Sequence, residues 1–95
     1  MRKYETIFIL NPSLDEEAVK ATVEKFKGAI ESNGGVVENV DFWGRRKLAY
    51  EINKISEGYY TLFNFNAGPE LPKELDRLFR INDSVIRHII VKEEK

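Results

Sequence analysis

The chain has 95 residues with 15 Lys+Arg against 16 Asp+Glu, a net charge of −1, one histidine and no cysteine. That length fits one domain with a thin core, and the missing cysteines exclude disulfides and thiolate metal sites. The balanced charge requires any nucleic-acid contact to come from clustered cations, since a summed charge does not fix local potential.

Tyr4–Leu10 is rich in aromatic and β-branched residues and predicts a strand, which Asn11-Pro12 stops. Ser13 and Glu16 fit a capping box, and Val19, Val23, Phe26 and Ile30 mark one face of the helix that follows. Asn33-Gly34-Gly35 ends it, because these residues tolerate a left-handed cap. Val36 to about Asp41 predicts a second strand, continuing through an irregularity near Gly44 toward Ile52. Asn53–Gly58 reads as a polar turn and Tyr59–Phe65 as a third strand. Gly68-Pro69 leads into a second helix with Leu71, Leu75, Leu78 and Phe79 at helical spacing, closed by Asn82-Asp83-Ser84. Val85–Val91 is the last strand and Lys92–Lys95 a charged tail. The order β-α-β-β-α-β predicts an α+β, ferredoxin-like domain over residues 1–95, a four-stranded antiparallel sheet with two helices on one face.

Side chains alternate across a strand. Tyr4, Thr6, Phe8 and Leu10 point one way and Ile7 and Ile9 the other; Thr61, Phe63 and Phe65 oppose Tyr60 and Leu62; His88 and Ile90 oppose Arg87, Ile89 and Val91. Two helices cover one face only. Ile7, Ile9, Tyr60, Leu62, Ile89 and Val91, joined by Tyr50, therefore form a candidate face for a protein partner, unless the chain's own loops fold over it. A second copy would fit the same pattern.

The cations gather in three places: Arg2 and Lys3 before the first strand, Arg45, Arg46 and Lys47 in the second, and Arg77, Arg80, Arg87 and Lys92 on the second helix and last strand. Arg2, Lys3 and Arg87 are expected to converge if the outer strands adjoin. Arginine suits phosphate through its planar fork, and Tyr4 or His88 could add stacking or a sugar contact to RNA. Arg77 and Arg80 also have a structural explanation at a helix end, and a lone His88 predicts no metal site.

Nothing supports catalysis. Ser13, Ser32, Ser56 and Ser84 sit at cap or turn positions, and one histidine leaves little scope for a nucleophile–base pair. A small acyl-phosphate hydrolase of this topology would carry a Gly-rich cradle where Asn11-Pro12-Ser13 stands. An RNA-recognition motif is echoed only loosely by Glu57-Gly58-Tyr59-Tyr60-Thr61-Leu62-Phe63, with Glu57 at the basic position. No cofactor, no small-molecule substrate and no membrane span is expected, and no signal segment follows the N-terminus, so the expected location is the cytoplasm.

The run Trp43-Gly44-Arg45-Arg46-Lys47-Leu48-Ala49-Tyr50-Glu51-Ile52-Asn53-Lys54 resembles the signature of the bacterial small-subunit ribosomal protein numbered six. Met1–Glu5, Ile9–Pro12, Gly58-Tyr59-Tyr60 and Ile81–His88 resemble other parts of that family in the right order, so the likeness spans nearly the whole chain. The tail after Val91 is shorter than in many members. The resemblance implies a ferredoxin-like, non-catalytic ribosomal protein. It implies binding to ribosomal RNA of the central domain as a heterodimer with the small-subunit protein numbered eighteen. The family's basic ends map onto Arg2, Lys3, Arg80 and Arg87, while the resemblance does not decide whether Arg45 and Arg46 meet RNA or the protein partner.

Overall fold

The computed structural model describes residues 1–52 and 54–93, so Asn53 of the expected turn and Glu94 and Lys95 of the expected tail lie outside the described residues. The elements are β1 (Arg2–Leu10), α1 (Glu16–Ser32), β2 (Val36–Ile52), β3 (Ile55–Ala67), α2 (Leu71–Ile81) and β4 (Val85–Lys92). The sheet runs β2-β3-β1-β4, and every neighbouring pair is antiparallel. This is the expected ferredoxin-like arrangement.

The helix-side face forms the core. Phe8 is fully buried, and its ring meets Phe26 of α1, Phe63 of β3 and Phe79 of α2 with centroids 5.3, 5.2 and 5.1 Å away. Such tilted and edge-on pairs add roughly 0.5–1.5 kcal/mol each beyond their area burial. Val19, Val23, Phe26 and Ile30 of α1 and Leu71, Leu75 and Phe79 of α2 are all buried, so both helices lie on this face.

The start of α1 differs from the expected capping box. Asp15 is the N-cap and its Oδ1 accepts from Ala18 N at 2.8 Å. Ser13 instead donates its backbone N–H to Asn11 Oδ1 at 2.9 Å, a local turn before the helix. The anionic Asp15 is as competent a cap as serine, and the turn from Asn11 moves the helix start downstream. The C-terminus follows expectation. Gly34 has φ +84°, Gly34 N donates to Glu31 O and Gly35 N to Ile30 O, the paired bonds of a left-handed helix stop.

β3 begins at Ile55, earlier than expected, because the supposed turn continues a hairpin with β2. Ile52 pairs with Ile55 and Lys47 with Glu57. Gly58 lies inside β3, where a Cβ would stand 2.3 Å from Ile9 Cγ2, so glycine permits close approach here.

Candidate functional site

The sheet face opposite the helices carries Ile7 and Ile9 of β1, Tyr60 and Leu62 of β3, and Arg87, Ile89 and Val91 of β4, as the strand alternation predicts. Its exposure is uneven. Ile9 is only 7 % exposed, whereas Ile89 is 48 % and Val91 45 % exposed. Ile7, Tyr60 and Leu62 are half-buried.

The far end of the β2–β3 hairpin accounts for part of this. Between the pairs Lys47–Glu57 and Ile52–Ile55 the β2 strand carries Leu48–Glu51 opposite Ser56 alone, a wide bulge. That excess lets Leu48, Ala49, Tyr50 and Ile52 turn toward the open face. They enclose a cavity of about 240 Å³ with Ile7, Ile9, Tyr60, Arg87, His88 and Ile89. Arg87 Nη1 donates to Tyr50 Oη at 2.7 Å, with the guanidinium 5.7 Å from the Tyr50 ring centre. The expected fully open apolar face is therefore half-covered by the chain's own hairpin, and Tyr50, 62 % exposed, lies on the cover.

Trp43 belongs to the same face, although the sequence reading did not place it there. Register shifts between Phe42 and Gly44, and Gly44 has φ +80°. Trp43 is the extra residue of that bulge; it stacks on Tyr60 at 6.1 Å and remains 38 % exposed. A glycine in a strand pattern is the signal that strict alternation fails there.

The cations separate into groups at opposite ends of the sheet. Tyr4 pairs with Lys92, so Lys92 joins Arg2 and Lys3 at the start of β1. Arg87 pairs with Ile9, six residues along β1 from Lys3, or roughly 20 Å at strand rise. The expected convergence of Arg2, Lys3 and Arg87 does not occur, because β4 runs antiparallel to β1. Lys92 also lines an open groove of about 560 Å³ between α2 and β4, with Lys73 and Arg80 among its walls. Lys73 was not among the sequence candidates; only the packing of α2 on β4 brings it there.

Tyr4 departs from expectation. It is 6 % exposed and stacks on Phe65 at 5.6 Å, so its ring offers no open face for base stacking, although the residue still lines the groove with Lys73, Arg80 and Lys92. Arg45 and Arg46 lie on the opposite edge strand, β2. Arg45 pairs with Glu57 at 3.2 Å and lies 5.8 Å over the Tyr59 ring. Arg46 Nε donates to Trp43 O at 3.3 Å. Arg80 pairs with Asp76 at 2.8 Å. These contacts are exposed and hold the side chains weakly.

His88 is structural, as a lone histidine on a strand suggests. Its ring packs 4.9 Å from Phe79 and its Nε2–H donates to Asp76 Oδ1 at 2.6 Å. The bond to His88, and then Arg80, holds the Asp76 carboxyl below its ordinary range against the opposing cost of desolvation. Among the described residues no group of three or more His, Asp or Glu is placed to hold a metal ion, and no helix is long and apolar enough to cross a membrane.

The family model described as Ribosomal protein S6 matches residues 3–92. The small ribosomal subunit protein bS6 of Clostridium beijerinckii is 78% identical over 94 residues, 99% of either chain. That of Clostridium kluyveri is 76% identical over 95 residues, the full length of both. The crystal structure of 30S ribosomal protein S6 from Thermotoga maritima matches with a TM-score of 0.93 at 35% identity, covering 97% of this chain and 87% of that one.

Proposed function

The chain belongs to the ribosomal protein S6 family, structural and non-enzymatic proteins of the small ribosomal subunit, and from that premise we propose that it binds ribosomal RNA of the central domain together with the small-subunit protein numbered eighteen. It acts as one domain, in the cytoplasm, as part of the translating ribonucleoprotein. No chemistry is performed; the chain positions its two neighbours.

The observation that carries this reading is the pairing of an exposed apolar strip with a separate basic end on one rigid sheet. Ile89 and Val91, with Trp43 and Tyr50 beside the half-covered cavity, offer apolar area to a protein. Ile7, Ile9, Tyr60 and Leu62 continue that strip sideways across β1 and β3. Arg2, Lys3 and Lys92, extended along α2 by Lys73 and Arg80, supply phosphate contacts that fix orientation. Arg87 stands beside the protein-facing strip and is assigned to the boundary between the two surfaces. Arg45 and Arg46, on the other edge, are assigned to a second, weaker phosphate contact.

The test measures binding of a central-domain RNA fragment to this chain, with and without protein eighteen, over a salt series. Phosphate contacts release counterions, so log affinity falls linearly with log salt. Arg2→Ala combined with Lys3→Ala is expected to flatten that slope by roughly one to two charges' worth. An unchanged slope would remove these residues from the RNA contact. Binding that needs no protein eighteen and is unaffected by it would refute the two-partner reading.

A further inference from the structure

β4 has one neighbour in the sheet, β1, so half of its peptide groups lack a strand partner. Glu93 N donates to Lys3 O at 2.9 Å, which makes Lys3–Glu93 a hydrogen-bonded pair. By antiparallel alternation the N–H and C=O groups of Arg87, Ile89 and Val91 face β1, and those of His88, Ile90 and Lys92 turn outward. The groove of about 560 Å³ between β4 and α2 borders this same stretch. Lys73, Asp76 and Arg80 follow at three- and four-residue steps on α2 and so stand in line on the helical wall, with Lys92 on the strand wall. Asp76 is the one carboxylate among the lining residues, and both its oxygens are engaged, Oδ1 by His88 and Oδ2 by Arg80. Lys73 and Lys92 enter no ion pair among the described residues.

We infer that the sugar–phosphate backbone of one RNA strand lies lengthwise in this groove and is bound by the edge of β4 itself. The outward N–H groups of Ile90 and Lys92 donate to phosphate oxygens, and the outward C=O groups beside them accept from ribose 2′-hydroxyls. The inference rests on the RNA reading above and adds to it the binding atoms and the type of nucleic acid. Outward groups recur every second residue, about 7 Å apart at strand rise, a step close to that of one nucleotide. A row of N–H groups on a sheet edge suits anions, and Lys73, Arg80 and Lys92 neutralise the phosphates from both walls. A protein strand would satisfy the same peptide groups but leave those cations without an anion. Each outward N–H is accompanied by an outward C=O, which repels phosphate. Only a backbone that alternates phosphate with a hydroxyl donor matches that order, so the edge favours RNA over DNA.

The test uses the full chain with protein eighteen and the central-domain RNA fragment. Lys92→Ala removes the charge alone, whereas Lys92→Pro removes the charge and the outward N–H. Proline is tolerated here, since that N–H makes no bond within the sheet. Lys92→Ala is expected to lower the salt slope by about one, and Lys92→Pro to weaken binding by a further roughly fivefold or more. Circular dichroism checks folding. A second measurement replaces riboses of the fragment by deoxyribose one at a time. Two or three adjacent positions should lose affinity several-fold, and that sensitivity should vanish in Lys73→Glu, whose groove repels phosphate. Equal binding by Lys92→Pro and Lys92→Ala, both folded, would overturn the inference and leave the RNA reading standing. If Lys92→Pro fails to fold, uniform affinity across the ribose series overturns it in the same way. A parent chain that binds no RNA even with protein eighteen would overturn both.

Discussion

Thr61 and Asp76 show how single polar groups are handled. Thr6 and Thr61 are both fully buried on the helix side. Thr6 Oγ1 donates to Ile89 O at 2.7 Å, whereas Thr61 Oγ1 has no hydrogen-bond partner among the described residues. A buried unpaired hydroxyl carries a desolvation cost of about 1–3 kcal/mol. Thr61→Val keeps the shape and removes that cost, so it is expected to stabilise the fold by roughly 1 kcal/mol in urea denaturation. Asp76 works the other way. Its folded carboxyl lies below the ordinary value of 3.8, first through His88. A lowered carboxyl contributes stability above its unfolded value and loses it as pH falls through the folded one. Asp76→Asn is therefore expected to destabilise the protein at neutral pH. The difference from the parent should shrink below about pH 4. Denaturation midpoints measured across that range check this; a constant difference would remove the carboxylate from the account.

At the scale of elements, the two helices, their apolar stripes and the face of each regular strand were legible in the sequence. Periods of 3.6 and 2 report burial directly, and Phe8, Phe26, Phe63 and Phe79 were all placed on the core side before any coordinates. What the sequence concealed depends on contacts distant along the chain. Asp15 displaced Ser13 as the cap because both are competent and the turn at Asn11 decides between them. Ile55–Glu57 joined β3 because β2 was there to pair with them. The hairpin's fold over the open face rests on a bulge at Leu48–Glu51 that no local pattern marks. The Gly44 bulge did leave a trace, and its glycine is predicted to matter through backbone angle alone. A Cβ there would touch nothing within 4 Å, yet φ is +80°. Gly44→Ala is expected to cost about 1–2 kcal/mol in thermal or urea unfolding. No loss would mean that the bulge relaxes freely.

For the whole molecule, the antiparallel sheet decides which surfaces can act together. It sets Lys92 beside Arg2 and Lys3 and sends Arg87 to the other end. Sequence alone named candidate cations but could not group them, since grouping is a property of register, and it passed over Lys73. It also marked Tyr4 as available, where packing on Phe65 has consumed the ring. The apolar strip at Ile89 and Val91 survives every internal covering, by helices on one side and by the hairpin on the other. The account therefore stands on that strip as the seat of a protein neighbour.

The most direct test is calorimetric titration of protein eighteen into this chain and into its Val91→Asp variant. Val91 is 45 % exposed and outside the core, so the unfolding midpoint should change little. The strip reading predicts at least about tenfold weaker binding, since a charge buried against an apolar partner is poorly compensated. Equal affinity in the two proteins, with both folded, would contradict it.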